Sequence, residues 1–515
     1  MTRPSDVEVS VIIPVRGASA SLAVQLSVLG APPFVLVLVD NGRNGDLRGG
    51  PRAANERRSR GRHPRICGMG LKISVIGTGY LGAVHAACMA ELGHDVVGVD
   101  TDVLKIEALA AGRSPIFEPG LPELLASAQA SGRLRWSTDI ADVADADVHF
   151  VCVGTPQKPG EYAANTDYVF GAFASLAPHM KAGSVAVGKS TVPVGTVPRV
   201  LEVLRAGVCD GVDARLIWNP EFLREGFAVK DTLTPDRFVY GVEGEFADAN
   251  VTRLDEVYAR ALAAGTPRLV TNFATAELVK VSANAFLATK ISFINAMAEV
   301  CEASGGDVVA LADAIGHDER IGRKFLGAGV GFGGGCLPKD IRAFMARGEE
   351  LGLAESVEFL RTVDATNVRR RSRVVELVRD VLGEDVVGAP VAVLGAAFKP
   401  NSDDIRDSPA LDVAERLVAL GVDVRVHDPE ALAVARAQRP GPGYVDTVDE
   451  ALVGARVVVL LTEWQVYRDL DPADVAEQVA GRVLIDGRNA LDRQRWAEAG
   501  FTVHALGRPT ITPAS

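Results

Sequence analysis

The sequence predicts an α/β protein made of two doubly wound halves joined by a helical centre. Short, almost continuous apolar segments of strand length alternate with helical patterns from Leu71 to about residue 270. A long helical pattern without Gly or Pro follows, from about Phe273 to Ser304. A second strand–helix–strand unit then begins with APVAVLGAAF at residues 389–398. Together, these three observations predict two parallel sheets on either side of helices.

The composition restricts the classes of protein that fit this chain. Of its 515 residues, 48% are hydrophobic and 23% are charged, which excludes disorder over most of the length. The net charge of −12 argues against a nucleic-acid partner, because such proteins carry a basic excess. The six cysteines are widely spaced and include no CxxC pair, so we expect neither disulfides nor a metal site. The apolar stretches are too short for a membrane span, and we expect a cytoplasmic protein.

Residues 1–68 are expected to lie outside the main fold. Two strand-like runs, Val9–Pro14 and Phe34–Asp40, resemble the opening of family-2 glycosyltransferases, but that resemblance ends before the rest of such a fold. The segment from Pro51 to Arg65 contains six arginines and almost nothing apolar, which indicates a solvated linker. We therefore expect a remnant or an over-long reading frame, with Met69 as the alternative start, rather than a bifunctional protein.

A glycine-rich turn between the first strand and the first helix is typical of dinucleotide binding. In GTGYLG, Gly77 permits the tight turn, Gly79 lets a pyrophosphate approach the backbone, and Gly82 lets helix and strand pack closely. Asp100 ends the next strand, 23 residues after Gly77, where a carboxylate binds ribose hydroxyls. No arginine follows it to meet a 2′-phosphate, so the sequence favours NAD over NADP. The alternative is a turn whose glycines serve packing alone.

A second glycine-rich segment, GVGFGGGCLPKD at residues 329–340, brings Cys336 to the start of a predicted helix. A cysteine at a helix N-terminus beside Lys339 is expected to have a lowered pKa and to react as a thiolate. The alternative is a small buried structural cysteine. That alternative suits Cys88 and Cys152 better, because both lie in apolar patterns.

The long predicted helix carries two polar residues on one face. Lys280 and Asn284 are four residues apart and interrupt the apolar stretch LVKVSANAFLATKISFI. A lysine there could extend along the helix to solvent. Paired with an asparagine on the same face, it indicates equally well a polar site that faces a cleft.

Ten motifs in order resemble the UDP-glucose/GDP-mannose dehydrogenase family over about residues 71–510. They are GTGYLG (77–82), VGTP (153–156), KSTVPVGT (189–196), NPEFLREG (219–226), ELVKVSANAFLATKISFIN (277–295), DERIGRKFL (318–326), GFGGGCLPKD (331–340), FKPNSDDIRDSPA (398–410), TEW (462–464) and IDGRN (485–489). The resemblance implies two Rossmann-like domains joined by a helical central region. We expect the limits to be an NAD-binding domain at 69–271, a dimer-forming centre with the cysteine at 272–385, and a UDP-sugar-binding domain at 386–515.

The resemblance implies that NAD oxidises the C6 alcohol of UDP-glucose twice, giving UDP-glucuronate without release of the aldehyde. Cys336 would add to the aldehyde to form a thiohemiacetal, which a second oxidation converts to a thioester. Lys280 and Asn284 would stabilise the oxyanion, and Lys280 would also help to deprotonate the alcohol. By the same resemblance, the water that hydrolyses the thioester would be positioned and activated by Glu221, Thr155 and Asp340.

The remaining expected contacts divide between cofactor and substrate. Cofactor contacts are expected from Gly77, Gly79, Tyr80, Leu81, Gly82, Asp100, Lys105, Thr155, Glu225, Lys339 and Arg406. Substrate contacts are expected from Glu221, Phe222, Leu223, Glu225, Lys280, Asn284, Arg320, Phe332, Gly333, Gly335, Phe398, Lys399 and Arg488. The resemblance implies that Arg320 reaches the substrate of a neighbouring subunit, so we expect a homodimer or a larger homo-oligomer. The rivals are another nucleotide sugar, GDP-mannose or a UDP-N-acetylhexosamine, and a non-catalytic NAD-binding homologue.

Overall fold

The computed structural model describes residues 70–513. The expectations for residues 1–68, including the strands Val9–Pro14 and Phe34–Asp40, therefore lie outside the described residues. The described residues belong to one compact unit. None of the helices within residues 70–513 is long and apolar enough to cross a membrane.

The first sheet has eight strands. They are β1 (Lys72–Ile76), β2 (Asp95–Val99), β3 (Leu134–Ser137), β4 (Val148–Val151), β5 (Val185–Gly188), β6 (Leu216–Trp218), β7 (Phe238–Gly241) and β8 (Arg268–Thr271). Their spatial order is β3-β2-β1-β4-β5-β6-β7-β8, and all pairs are parallel except β6 with β7. The strand order reverses between β1 and β4, and ligands bind at the carboxyl ends of strands at such a point.

Helices cover both faces of this sheet, which explains why its central strands are almost continuously apolar, whereas the edge strands β3 and β8 are not. They are α1 (Tyr80–Glu91), α2 (Val103–Ala110), α3 (Leu121–Ala130), α4 (Asp167–Leu176), α5 (Thr196–Gly207), α6 (Ala228–Leu233), α7 (Ala247–Val257) and α8 (Ala259–Ala263). Short 3₁₀ turns lie at Ile140–Val143 and Ala177–His179. Helix α1 begins at Tyr80, because Gly79 caps it and accepts the Ala83 N–H.

The helical centre is built on the long helix that the sequence predicted. Its elements are α9 (Phe273–Ser304), α10 (Val308–Gly316), α11 (Leu337–Glu350), α12 (Ala354–Val357) and α13 (Phe359–Leu382). The Asn272 side chain accepts from the Thr275 N–H and caps α9, and Gly305, with φ of +79°, ends it. Helices α9, α11 and α13 pack around a core that includes Ala288, Ile341 and Leu360.

The second sheet has seven strands. They are β9 (Pro390–Leu394), β10 (Asp423–His427), β11 (Gly443–Tyr444), β12 (Val457–Leu460), β13 (Val483–Asp486), β14 (Thr502–Ala505) and β15 (Arg508–Ile511). The order is β11-β10-β9-β12-β13-β14-β15, and all pairs are parallel except the last. Its helices are α14 (Pro409–Ala419), α15 (Leu432–Gln438), α16 (Val448–Leu452), α17 (Gln465–Arg468), α18 (Pro472–Gln478) and α19 (Arg493–Glu498).

The structure confirms the predicted fold class of two Rossmann-like, doubly wound units joined by helices. Two antiparallel pairs, β6 with β7 and β14 with β15, are additions that the strand–helix alternation did not indicate. The predicted domain limits at 271/272 and 385/386 stay predictions.

Candidate active site

The first glycine-rich turn lies at the switch point of the first sheet. Gly77 has φ of +87°, a conformation that favours glycine. A Cβ on Gly82 would lie only 1.8 Å from the carbonyl oxygen of Gly77, so helix and turn are in direct backbone contact. Gly79 has no atom within 4 Å of the place its Cβ would take, and it is the N-cap of α1. The turn therefore leaves open space at a helix N-terminus, which fits the pyrophosphate of NAD.

Asp100 follows β2 and is tied to this turn. Its Oδ2 accepts the Thr78 N–H at 2.8 Å and the Thr78 hydroxyl at 3.1 Å, and it lies 3.0 Å from Lys105 Nζ. Its Oδ1 accepts the Asp102 N–H at 3.1 Å. Burial acts to raise the pKa of Asp100, but these hydrogen bonds and Lys105 outweigh it and hold that pKa below its ordinary value. The carboxylate is therefore an anion with a lone pair left on Oδ1 for a ribose hydroxyl.

We expect Asp100→Ala to weaken NAD binding about 10- to 100-fold, because a hydrogen bond to a charged group contributes about 1.5–3 kcal/mol. Binding of the nucleotide sugar should change little, since it is expected on the other sheet. Calorimetric titration of each ligand checks this. The neighbouring Asp102→Ala, which removes an exposed carboxylate, is the matched control. Equal losses for both ligands would show that the Asp100 variant had merely unfolded.

Tyr80 and Leu81, expected to contact the cofactor, have contacts of their own inside the protein. The Tyr80 hydroxyl donates to Glu118, and burial together with this carboxylate raises the pKa of Tyr80. Glu118 also accepts the backbone N–H groups of Gly226 and Ala228, both at 2.7 Å. Leu81 packs against the core of the first sheet. Glu118 thus joins helix α1 to the NPEFLREG loop. Sequence reasoning missed this role, because a single glutamate in a loop gives no periodic signal.

Cys336 is the N-cap residue of α11, and Pro338 lies in the first turn, as predicted. Asp340, in the same turn, is buried and accepts Asn284 Nδ2 at 2.6 Å and Lys339 Nζ at 2.6 Å. The start of α11 therefore meets the polar face of α9. The cysteine and the asparagine, more than 50 residues apart in sequence, belong to one cluster.

Thr155 joins this cluster from the carboxyl end of β4. Its Oγ1 lies 3.4 Å from Lys339 Nζ, and its hydroxyl donates to the Thr191 carbonyl at 2.8 Å. A small cavity of about 20 Å³ lies between Thr155, Thr191 and Asp340 on one side and apolar side chains of α9 and α11 on the other. A cavity of that size holds about one water molecule.

The expectation of a lowered thiol pKa for Cys336 was wrong in this structure. The side chain is reached by solvent, but it lies within the cleft, and burial raises the pKa of the thiol. The carboxylates of Asp340 and Glu225 raise it further, while Lys339 and Lys280 oppose the rise. The reasoning from sequence counted Lys339 and the helix terminus but left out Asp340, which lies in the same segment. Burial and the carboxylate of Glu225 depend on the fold and could not be counted.

Glu221 lies at the carboxyl end of β6. One of its oxygens, Oε1, accepts the backbone N–H groups of Phe222 at 2.7 Å and Leu223 at 3.0 Å. The other, Oε2, lies 2.9 Å from Nζ of Lys189, a buried lysine directly after β5. Lys189 is the first residue of the motif KSTVPVGT, which predicted no role for it. A lysine that ends a buried parallel strand was the signal that could have found it.

Lys280 and Phe222 are neighbours, as expected for residues of one pocket. Lys280 Nζ lies 5.5 Å from the centre of the Phe222 ring, and the guanidinium of Arg237 lies 4.0 Å from the same ring. Leu223 packs against the core of the first sheet. Lys280 therefore lies on the side of α9 that faces the NPEFLREG loop.

Glu225 lies where the first and second sheets approach each other. It accepts from Arg406 Nη2 at 3.3 Å, and Ser402 Oγ is 3.5 Å away. Burial raises the pKa of Glu225 to about 7, Asp404 adds to the rise, and Arg406 and Lys399 oppose it. Burial lowers the pKa of Lys399, against the attraction of Glu225. These groups form a cluster of both charges beside Cys336.

The glycine loop at 331–335 is held by the rest of the protein. Asn367, fully buried, accepts the Phe332 N–H at 2.7 Å and donates to the Phe332 carbonyl at 2.9 Å. A Cβ on Gly333 would lie 2.3 Å from the Asp407 carbonyl oxygen, and one on Gly335 would lie 2.2 Å from the Arg406 guanidinium carbon. At Gly333 the loop thus approaches the backbone of Asp407, which requires glycine, whereas at Gly335 its neighbour is a flexible side chain.

Phe398 and Arg488 lie beside this loop. The Phe398 ring is 2.7 Å from where a Cβ of Gly334 would be. The Arg488 side chain donates to three carbonyl groups: Nε to Leu461 at 2.6 Å, Nη1 to Gly331 at 2.9 Å and Nη2 to Phe398 at 3.1 Å. Burial lowers the pKa of Arg488. The guanidinium therefore ties three loops together, and its expected substrate contact stays a prediction.

Arg320 is not part of the cluster within one chain. Its side chain is 89% exposed and pairs with Asp318. An exposed arginine of this kind is free to reach a second copy, so that expectation also stays a prediction. Among residues 70–513, no group of three or more His, Cys, Asp or Glu side chains is placed to hold a metal ion.

A dinucleotide turn on one Rossmann-like sheet, a second such sheet, and a cysteine between them define a dehydrogenase of nucleotide-linked substrates. Residues 71–262, 274–369 and 392–493 match the NAD binding, central and UDP binding domains of the UDP-glucose/GDP-mannose dehydrogenase family. The chain belongs to that family.

Three similar proteins illustrate the match. The chain is 42% identical over 440 residues to a UDP-glucose 6-dehydrogenase of Rhizobium meliloti (strain 1021), covering 85% of this chain and 100% of the relative. A UDP-glucose dehydrogenase structure from Pyrobaculum islandicum has a TM-score of 0.78 and 38% identity, covering 87% of this chain and 100% of the other. A UDP-D-ManNAc dehydrogenase structure from Pyrococcus horikoshii has a TM-score of 0.74 and 26% identity, covering 85% and 99%.

Proposed function

We propose that this protein oxidises UDP-glucose to UDP-glucuronate with two molecules of NAD, through a covalent thioester on Cys336. The observation that carries the proposal is that α11 begins at Cys336, and that Asp340 in its first turn accepts from Asn284 of α9. It rests also on the similarity to UDP-glucose dehydrogenases at 42% and 38% identity over nearly the whole of those proteins.

The residues of the first sheet suit NAD. Gly79 and Gly82 would let the pyrophosphate approach the N-terminus of α1, and Asp100 would bind the ribose hydroxyls. NAD, when bound, accepts the hydride removed from the sugar C6 in each oxidation. Asp100, as an anion, would repel a 2′-phosphate, which supports NAD over NADP.

Cys336 would act as the nucleophile. Its sulfur would add to the C6 aldehyde to give a thiohemiacetal, and loss of a hydride from that carbon would leave a thioester. The thiolate that this step needs is favoured by Lys339 and Lys280, the two cations that oppose the raised pKa of the thiol. Asn284 Nδ2 and Lys280 Nζ would donate to the oxygen on C6 while it is negatively charged.

Hydrolysis would release the product and the free thiol. Asp340 and Thr155 line the small cavity beside Lys339, which has room for about one water molecule. Asp340 would hold that water and accept its proton as the water attacks the thioester carbon. Glu221 does not line this cavity, and its part in orienting the attacking water rests on the family resemblance and on the lone pair that its protein contacts leave on Oε2.

The UDP part of the substrate would lie against the second sheet. Lys399 offers positive charge over the Phe398 ring, which lies beside Gly334 of the glycine loop, in a chain of net charge −12. UDP-glucose is favoured over other nucleotide sugars by the higher identity to UDP-glucose dehydrogenases than to the UDP-D-ManNAc dehydrogenase, at 26%. GDP-mannose or a UDP-N-acetylhexosamine is the second candidate substrate, oxidised by the same chemistry.

A homodimer in the cytoplasm is part of the proposal. Phe286, Phe293 and Val300 recur every seven residues along α9 and are 67%, 49% and 56% exposed. Such a stripe of large apolar side chains on one helix face fits a second copy of the same surface. Arg320 is exposed too, and it is close in sequence to Ile321 and Phe325, which are also exposed. It would then be available to the partner's site.

We expect about two NADH to form per UDP-glucose, because oxidation of an alcohol to a carboxylate removes four electrons. The purified protein is given limiting UDP-glucose with excess NAD, and the absorbance of NADH is followed to completion. GDP-mannose and UDP-N-acetylmannosamine are run in parallel. One NADH with release of aldehyde would contradict the thioester, and a strong preference for another sugar would contradict only the substrate.

A further inference from the structure

Lys189 is a buried cation at the meeting point of three parallel strands. Its backbone N–H donates to the Val151 carbonyl at 3.0 Å, and the Asn219 N–H donates to the Gly188 carbonyl at 2.8 Å. The ends of β4, β5 and β6 therefore place Lys189 and Asn219 next to each other. The Lys189 side chain is only 4% exposed.

The ammonium group of Lys189 is held in a rigid polar cradle. Nζ donates to Asn219 Oδ1 at 3.1 Å and lies 2.9 Å from Glu221 Oε2. The Asn219 side chain is itself fixed, because its Nδ2 donates to the Val239 carbonyl at 3.0 Å and its Oδ1 accepts the Tyr258 hydroxyl at 2.9 Å. The Asn219 partner of the lysine is thus held in place by the sheet.

The carboxylate of Glu221 therefore has few hydrogen-bonding positions left. A carboxylate offers about four lone-pair positions. Two of them, on Oε1, accept the Phe222 and Leu223 N–H groups, and one on Oε2 is directed to Lys189. One lone pair remains, on the oxygen that the lysine orients. The Glu221 side chain is 19% exposed, and this lone pair is the one that its protein contacts leave for a water.

We propose that Lys189 is a positioning residue for thioester hydrolysis, which acts by fixing the direction of the one free lone pair of Glu221. The inference rests on the proposed function, since it concerns the water-orienting role given there to Glu221. A purely structural ion pair would not need this lysine, because replacing a buried ion pair by apolar residues is often neutral or stabilising.

The test is a double-mutant cycle of Lys189→Met, Glu221→Gln and the double variant, with Lys189→Arg as the conservative change. Each protein is mixed with UDP-glucose and NAD, quenched in acid, and examined by intact mass for the acyl-enzyme, while kcat, KM and Tm are measured. We expect Lys189→Met to lower kcat about 100-fold, the size of effect that a misplacement of about 1 Å produces. KM for both substrates should stay within about twofold, and the acyl-enzyme should accumulate. Lys189→Arg should recover part of kcat.

The decisive comparison is made in the Glu221→Gln background. If Lys189 acts through Glu221, adding Lys189→Met to Glu221→Gln should change the hydrolysis rate no further. This comparison does not need Lys189→Met alone to fold. The double variant carries no unpaired buried charge, and the Tm of Glu221→Gln shows whether the lysine left unpaired there is tolerated. An equal loss in both backgrounds, or wild-type hydrolysis in a folded Lys189→Met protein, would overturn the inference.

Two controls separate this inference from the proposed function. Lys181→Met removes a half-exposed lysine that pairs with Asp147 before β5, and it should leave hydrolysis unchanged. If the wild-type protein makes no NADH from UDP-glucose, or if Glu221→Gln hydrolyses the thioester normally, the proposed function fails first. If Glu221→Gln accumulates the acyl-enzyme but Lys189→Met does not, the inference alone fails.

Discussion

Replacing Cys336 by Ser is expected to lower kcat at least about 1,000-fold, since loss of an enzymatic nucleophile costs up to about 10⁶ in kcat. A serine hydroxyl is barely ionised at neutral pH, and the oxygen ester it forms hydrolyses more slowly than a thioester. Any ester that does form should therefore accumulate and appear as a mass increase of the intact protein. Steady-state NADH formation and intact mass measure the two effects.

A second cysteine provides the control for this experiment. Cys209 is also exposed, but it follows α5 and its thiol contacts the Pro178 carbonyl, away from the cluster. Cys209→Ser should keep full turnover. Wild-type turnover in Cys336→Ser would show that the thiol of Cys336 is structural, and it would remove the covalent step from the proposal.

Periodicity and glycine spacing were enough to predict the parts of the fold on which the site is built. Helix α9 begins at Phe273 and ends at Ser304 as expected, because its apolar pattern is long and is bounded by Asn272 and Gly305. The placement of Cys336 at the start of α11 followed from the glycine run and Pro338. These features are local, so a single sequence contains the information for them.

Contacts between segments that are far apart in sequence could not be predicted from periodicity or glycine spacing. Glu118 meets Gly226, 108 residues away, and Asn367 meets Phe332, 35 residues away, across gaps that no local pattern spans. The error on the thiol pKa of Cys336 has the same origin. The local Lys339 was visible in the sequence, whereas burial and the carboxylate of Glu225 depend on the packing of different segments.

Gly82→Ala is expected to abolish NAD-dependent turnover. The new Cβ would lie 1.8 Å from the carbonyl oxygen and 2.9 Å from the carbonyl carbon of Gly77, so backbone must move rather than a flexible side chain. Overpacking of this kind costs about 1–3 kcal/mol, and here the displaced atoms are those of the dinucleotide turn itself. We therefore expect a lower Tm and NAD affinity reduced more than about 100-fold, since about 3 kcal/mol corresponds to that factor.

Gly79→Ala, in the same turn, separates the effect of a blocked pyrophosphate site from the effect of a displaced backbone. No protein atom lies within 4 Å of the added Cβ at Gly79, and φ there is −66°, so the variant should fold with an unchanged Tm. Its methyl group would nevertheless occupy the space beside the N-terminus of α1 that we assign to the pyrophosphate, and NAD binding should still weaken. For both variants, calorimetry measures the affinities for NAD and for UDP, and thermal unfolding measures Tm. If Gly79→Ala binds NAD as tightly as the wild type, the pyrophosphate lies elsewhere. If Gly82→Ala keeps its Tm and NAD affinity, the close contact between α1 and the turn does not constrain the site.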